Sequence, residues 1–244
     1  MKKHLYRSLS VVLCVMLLLS TASLSAFAAV DFTDSSEGYY NVISKKDFVV
    51  SPGVQESEIV LDNAEGSRRQ VLHVMEADPK NENVGILPHY SNMEKPNDES
   101  KYKVITTTKH AEQAVADGYN VVGAMNTALS WDTDQPLGKF VVDGVVWRGD
   151  NNYVSCQTYL AVKQDGTADL RDISEPLEPD DYEAIGLNFG FMVKDGKNVA
   201  GSVNHSEGDP RSVIGVKADG TIVMMMCDGR MSPYAFGLTL RSRT

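Results

Sequence analysis

The sequence is poor in cysteine and lacks the closely spaced Cys/His patterns that hold metal ions. It contains three cysteines in 244 residues, no CxxC and no HExxH, and its histidines are scattered. These absences exclude a disulfide-rich scaffold and leave no sequence signal for a zinc site. The chain also lacks internal repeats and low-complexity tracts, and its length fits one sizeable hydrophobic core.

Long apolar runs are absent except near the N-terminus. There, Leu9–Leu19 follows a short basic region and precedes the small-x-small sequence Ala26–Ala28. This order predicts a secretory signal peptide over residues 1–28, with an apolar core too short to span a bilayer comfortably. The alternative is an uncleaved membrane anchor. We expect a secreted or cell-envelope protein with no stable membrane insertion after cleavage.

Basic residues are scarce, with 23 Lys and Arg against 33 Asp and Glu. Three of the basic residues and none of the acidic ones fall within the predicted signal peptide, so the mature chain carries 20 against 33 and a net charge of −13. This balance argues against nucleic acid and anionic membrane surfaces as partners.

Two cysteines, Cys156 and Cys227, remain in the mature chain. They could pair in an exported protein. Cys227 ends an apolar run, however, and this position favours a buried thiol over a disulfide.

Apolar runs separated by turn dipeptides predict β-hairpins through most of the mature chain. A single helix is predicted over Thr106–Asp117, with a threonine cap and Gly118 as its stop. A buried strand, Asn120–Met125, is predicted to follow it. Short strands are also predicted at residues 70–76 and 84–87. The predicted turns are the Asp-Gly pairs that begin at Asp143, Asp165, Asp195, Asp219 and Asp228.

These elements predict an α+β fold with a mixed, hairpin-rich β-sheet and few helices. The predicted organisation is an irregular lead-in over residues 29–54 and a single domain over residues 55–244.

The closing segment gathers charged residues at one predicted sheet end. Arg211 enters the first strand of a hairpin and Arg230 leaves the second, beside Asp228 and Gly229. Two guanidinium groups and a carboxylate suit an anionic substrate such as a phosphate ester. The alternative is that Asp228 is only a turn residue and the arginines are solvated.

A second candidate region begins at Asn126, at the predicted end of a strand. Trp131 offers an aromatic face to a sugar ring, and Asp132 offers a carboxylate to its hydroxyls. Asp132 and Asp134 could also bind Ca²⁺, although nothing in the sequence demands a metal or cofactor. His205 could serve as an acid or base near neutral pH. The alternatives are a polar turn and an incidental loop histidine.

Several short motifs follow one another along the chain: Asn126, Pro136–Gly138, Asp143-Gly144, Pro210-Arg211-Ser212 to Gly215, Asp228-Gly229-Arg230 and Gly237-Leu238-Thr239-Leu240. In this order they resemble the phosphodiester glycosidase family, over about residues 55–240. The resemblance implies a hydrolase that cleaves a sugar-1-phosphodiester in cell-wall or extracellular glycan. It implies that Arg211 and Arg230 bind the phosphodiester, with Asp228 and Gly229 beside them. Asn126 and Asp132 would then position the sugar. The predicted catalytic residues are Asn126, Asp228, Arg230 and Arg211, and the predicted substrate-binding residues are Trp131, Asp132, His205 and Gly229.

Two departures from the family pattern bear on this expectation. Asn126 is followed by Thr-Ala-Leu-Ser and not by the family's Gly-x-Phe-Phe. The family's closing Asp-Gly-Gly-Gly-Ser loop does not occur before Thr244, which we interpret as a C-terminal truncation. The alternatives to an enzyme are therefore a non-catalytic module that binds glycan or a phosphate-bearing polymer, and an inactive family member.

Overall fold

The computed structural model describes residues 40–63, 69–90, 104–127, 136–149, 156–188, 190–199 and 209–231. Within these ranges the chain forms one helix and twelve strands. The elements are β1 (Tyr40–Ser51), β2 (Val54–Asn63), β3 (Arg69–Ala77), α1 (Thr107–Ala116), β4 (Phe140–Val142), β5 (Val145–Arg148), β6 (Cys156–Lys163), β7 (Ala168–Asp172), β8 (Asp181–Asn188), β9 (Val193–Lys194), β10 (Lys197–Asn198), β11 (Asp209–Val216) and β12 (Ile222–Met231).

The predicted α+β class with a mixed sheet is wrong, because the described fold is nearly all β. Every strand pairing within the described residues is antiparallel, and α1 is their only helix. The prediction failed at residues 84–87 and 120–125, which carry apolar side chains but form no strand. Without the strand after α1, no helix–strand unit is present to bring a helical layer into the fold.

Two five-stranded sheets contain most of the strands. The first sheet has the order β1-β2-β3-β12-β11, and the second has the order β5-β4-β8-β6-β7. The short strands β9 and β10 form a separate hairpin. All of these strands belong to one compact unit that spans residues 32–244.

The two large sheets pack against each other through apolar side chains. Leu160, Val162 and Ala168 of the second sheet form one buried cluster with Ile222 of β12. Met224 of β12 packs on the same cluster. Because side chains alternate along a strand, Ile222 and Met224 face the second sheet, and Val223 and Met225 between and after them face the other way.

Four of the five predicted Asp-Gly turns are confirmed. They join β4 to β5, β6 to β7, β9 to β10 and β11 to β12. Asp143 and Asp195 have φ angles of 50°, a left-handed conformation that Asp tolerates better than most residues. The fifth prediction is wrong: Asp228 and Gly229 lie within β12, which continues to Met231. The pairing of β11 with β12 shifts register between Asp209 and Arg211, where an irregularity replaces the turn.

The predicted helix is confirmed. The hydroxyl of Thr106 accepts a hydrogen bond from the backbone N–H of Lys109, and Asp117 is the C-terminal cap. Gly118 has a φ angle of 97° and ends the helix as expected. Ala114 is buried, whereas Val115 is exposed.

The predicted irregular lead-in is partly a regular strand, because β1 begins at Tyr40. This strand forms the edge of the first sheet and pairs with β2 alone. Exposed apolar side chains such as Phe48 and Val49 interrupt the usual alternation of β1, so its sequence gave no clear period. Residues 1–39, which include the predicted signal peptide, lie outside the described residues.

Cys156 and Cys227 are both buried and both remain thiols. Burial raises the pKa of each thiol to about 11. Within the described residues, no helix has the length and apolar character needed to cross a bilayer.

Candidate functional site

Asn126 and Ser212 contact each other although 86 positions separate them in the sequence. The hydroxyl of Ser212 donates to Oδ1 of Asn126 at 2.9 Å. Both side chains are exposed. The contact joins two of the motifs identified in the sequence and engages the Asn126 side-chain oxygen.

The segment that carries Asn126 is irregular but is fixed at two points. Gly123 lies so close to β3 that a Cβ atom there would come within 2.5 Å of the Met75 side chain. The side-chain amide of Asn188, at the end of β8, donates to the carbonyl oxygen of Thr127 at 3.3 Å. Asn126 therefore sits on a segment that contacts strands of both large sheets.

Asp228 lies on the same face of the first sheet as Ser212. Ser212 pairs with Met226, which is two residues before Asp228 on β12. Directly paired residues, and residues two apart on one strand, share a face of the sheet. The Asp228 side chain is exposed. An amide, a hydroxyl and a carboxylate thus share one open end of this face.

Arg211 lies on the opposite face of β11. It pairs with Cys227, whose side chain is fully buried, and the Arg211 side chain is half-buried. The predicted hairpin does bring the backbones of Arg211 and Arg230 to one end of the sheet, since Arg230 immediately precedes Met231, the partner of Asp209. The Arg230 side chain lies outside the described part of the structure, so the pairing of the two guanidinium groups around an anion stays a prediction.

Trp131, Asp132, Asp134 and His205 also lie outside the described residues. Their contacts with a sugar, and the possible Ca²⁺ site at Asp132 and Asp134, therefore stay predictions. Gly229 lies in β12, next to Asp228.

Sequence reasoning missed a row of side chains that crosses the first sheet. We define the cross-strand row as Lys46, Glu58, His73, Met226 and Ser212, which pair in this order from β1 to β11. Consecutive members are direct partners, so all five side chains share the face that carries Asp228. The sequence placed His73 on one face of β3, but it gave no information on which strands lie beside β3.

His73 has a carboxylate partner within this face. Its Nδ1 atom lies 3.5 Å from Oε1 of Glu56, and the two side chains are 43% and 35% exposed. Glu58, two residues further along β2, contacts Nζ of Lys46 at 3.4 Å. Carboxylates therefore surround His73 while solvent still reaches it.

Comparison with known proteins identifies the family. The model of the phosphodiester glycosidase family matches residues 109–242, more than half of the chain. The chain belongs to the phosphodiester glycosidase family. Membership indicates phosphodiester glycosidase activity and a sugar phosphodiester as the substrate class. No curated protein sequence matches the chain significantly.

Solved structures resemble this family member at low sequence identity. One is a hypothetical protein from Synechocystis, with a TM-score of 0.55 and 10% identity over 82% of this chain and 56% of the other. Another is the catalytic domain of zebrafish N-acetylglucosamine-1-phosphodiester alpha-N-acetylglucosaminidase, auto-inhibited by its pro-peptide. It has a TM-score of 0.49 and 14% identity over 82% of this chain and 72% of the other. Because the Synechocystis protein is only 10% identical to this chain, its likeness shows a shared fold and nothing further.

One acidic cluster of this family member has a structural explanation. Among the described residues, Glu178, Asp180 and Asp181 bring carboxylate oxygens together. Lys163 contacts Glu178 at 2.7 Å and Asp180 at 3.0 Å, and Arg171 contacts Asp181 at 2.9 Å. Since Lys and Arg side chains already occupy these oxygens, the cluster is an ion-pair network and offers no open metal site.

Proposed function

We propose that this protein is an exported hydrolase that releases a sugar from a sugar-1-phosphodiester in cell-wall or extracellular glycan. The observation that carries the proposal is the hydrogen bond between Asn126 and Ser212 on an open sheet face beside Asp228. Both partners lie within residues 109–242, which match the family. The signal-like N-terminus supports export, and an extracellular location makes cell-wall or secreted glycan the accessible substrate.

In this proposal the sugar lies on the face that carries Asn126 and Asp228. The Asn126 amide nitrogen donates to a sugar hydroxyl, because Ser212 already occupies its oxygen. The Asp228 carboxylate accepts from a second hydroxyl or orients an arginine. Trp131, Asp132 and His205 complete the sugar site.

The phosphodiester group lies at the end of the β11–β12 hairpin, where the backbones of Arg211 and Arg230 come together. Guanidinium groups bind phosphate oxygens through paired hydrogen bonds. The leaving group is a phosphomonoester, which departs with little help from an acid. Catalysis therefore depends on stabilising charge at the phosphate and on activating the attacking water.

The proposal is tested by measuring sugar release from an N-acetylglucosamine-1-phosphodiester with the purified chain and with Arg230→Ala. We expect turnover in the unmodified chain and a loss of at least about 100-fold in the variant, because Arg230 binds the anion. Arg69→Ala is the matched control, since Arg69 is an exposed arginine on β3 of the same sheet. Glycan binding without turnover would contradict the enzymatic proposal and would indicate a binding module.

Export is tested separately by cell fractionation. We expect the full chain to be recovered outside the cytoplasm, whereas a variant without residues 1–28 should remain inside. Equal distribution of the two forms would contradict the proposed location.

A further inference from the structure

We propose that His73, oriented by Glu56, is the general base that activates water for this hydrolysis. The inference rests on the proposed function. His73 lies on β3, outside the residues that match the family, so family membership carries no expectation for it.

The position of His73 relative to Asn126 and Ser212 supports this role. Ser212 and His73 both pair with Met226, from its two sides. Their backbones are therefore two interstrand spacings apart, about 10 Å. A sugar phosphate held at Asn126 can span such a distance. The Met226 side chain lies between the two and is 40% exposed, so the surface between them is accessible to a ligand.

The contact with Glu56 orients the imidazole. Nδ1 of His73 lies 3.5 Å from Oε1 of Glu56. A carboxylate at this position favours the tautomer with the proton on Nδ1, because the N–H can then point at the carboxylate. This tautomer leaves the lone pair on Nε2, the nitrogen that a general base uses.

Other charged groups face His73 from the neighbouring strands. Glu56 and Glu58 lie on β2, Lys46 lies beyond Glu58 on β1, and Asp228 lies diagonally across on β12. Lys46 offsets Glu58, with which it forms an ion pair at 3.4 Å. Glu56 is therefore the carboxylate that contacts the imidazole directly.

The two other histidines of the described ranges are engaged elsewhere. Nδ1 of His89 and Nδ1 of His110 lie 2.8 Å apart, so the Nδ1 atom of each ring is engaged in a hydrogen bond with the other ring. Burial lowers the pKa of both. Within the described part of the chain, His73 is the histidine that combines exposure with a carboxylate partner and a place on the face of Asn126.

The proposed step balances without a further reactant. Nε2 of His73 takes a proton from water as the water oxygen bonds to the sugar C1. The bond between C1 and the phosphate oxygen breaks, and its electron pair leaves with the phosphomonoester. Glu56 serves as a positioning residue through its contact with Nδ1 of His73, and His73 later returns its proton to solvent.

The test measures kcat and KM against pH for sugar release from the N-acetylglucosamine-1-phosphodiester. We expect His73→Gln to lower kcat by at least about 100-fold with KM nearly unchanged, and to remove the acidic limb of the pH profile. Added imidazole should restore part of the activity to His73→Ala. A purely structural role for His73 would produce neither the lost limb nor the rescue.

Glu56→Gln and Glu58→Gln form a matched pair, because the two side chains lie on one strand and are 35% and 34% exposed. We expect about a tenfold lower kcat for Glu56→Gln and no change for Glu58→Gln. Unchanged kcat and an unchanged acidic limb in a folded His73→Gln would overturn the role of His73 alone. No sugar release by the unmodified chain would overturn the proposed function, and the role of His73 with it.

Discussion

The second sheet buries several charged side chains, whereas the first sheet presents a group of charged side chains to solvent on one face. Arg171 and Asp181 form a buried pair with two hydrogen bonds of 3.0 and 2.9 Å. Lys139 is also buried and lies 4.3 Å above the centre of the Tyr159 ring. On the first sheet, His73 and Glu56 remain partly exposed. The difference fits the proposed function, in which the second sheet provides stability and the first provides an accessible reacting surface.

The largest expected effect is on stability, from breaking the buried pair in the second sheet. Arg171→Met leaves the Asp181 carboxylate, which is 1% exposed, without its cation. We expect the free energy of unfolding to fall by about 3–5 kcal/mol, measured by denaturant titration. Lys163→Met, which removes a cation from the more exposed Glu178 and Asp180, should cost much less. Equal losses would contradict the distinction between buried and exposed pairs.

Close packing beneath the second sheet gives the next prediction. Gly138 has a φ angle of 84°, and a Cβ atom there would lie 2.3 Å from Sγ of Cys156. Gly138→Ala should therefore lower stability by about 2–4 kcal/mol. Gly85→Ala is the control, because a Cβ atom at Gly85 meets no atom within 4 Å. Similar thermal midpoints for the two variants would show that residues 136–138 are not tightly packed.

Glu183 makes the stability of the second sheet depend on pH. Burial raises the pKa of this carboxyl from 4.5 to about 8, and its Oε1 accepts the backbone N–H of Asp143. The folded state therefore holds a proton that the unfolded state releases, and stability should fall as pH rises from about 4.5 to 8. Glu183→Gln should remove this slope and make the protein more stable than the native chain near pH 8. Denaturant titrations with parallel pH dependence in both proteins would contradict this account.

The smallest stability effect is expected on the first sheet, where activity should change instead. Ser212→Ala removes the donor to Asn126 and should cost about 0.5–1 kcal/mol, but should lower kcat/KM about tenfold because Asn126 loses its orientation. Ser57→Ala removes another exposed hydroxyl, the donor to Asp47. We expect a similar stability cost there with unchanged sugar release. Equal kcat/KM values would show that the Ser212 contact is only structural.

The sequence predicted local features well, because their signals lie within a few residues. The Thr106 cap and the Gly118 stop defined α1, and Asp-Gly pairs defined four hairpins. Residues 120–125 were wrongly assigned to a strand, because apolar content does not reveal that the segment crosses Met75 on another strand. Asp228-Gly229 was wrongly predicted to be a turn, because the neighbouring residues do not reveal that β12 continues through a register irregularity.

The parts of the site that depend on strand order could not be predicted from the sequence. The family motifs identified Asn126 and the segment around Ser212, but their contact depends on long-range packing. His73 and Met226 became neighbours only because β3 pairs with β12, about 150 positions later in the chain. Likewise, the register that separates Arg211 from the face of Asp228 follows from pairing and not from proximity in sequence.

The most direct test of the central claim compares Asp228→Asn with Asp195→Asn. Asp228 shares the exposed face of Ser212, whereas Asp195 lies in the turn between β9 and β10, where its φ angle of 50° is one that Asn also adopts. Both proteins should fold and melt like the native chain. If the first sheet carries the reacting surface, Asp228→Asn should lower kcat/KM for the N-acetylglucosamine-1-phosphodiester by at least about 100-fold, and Asp195→Asn should leave it unchanged. Native activity in Asp228→Asn would contradict the account.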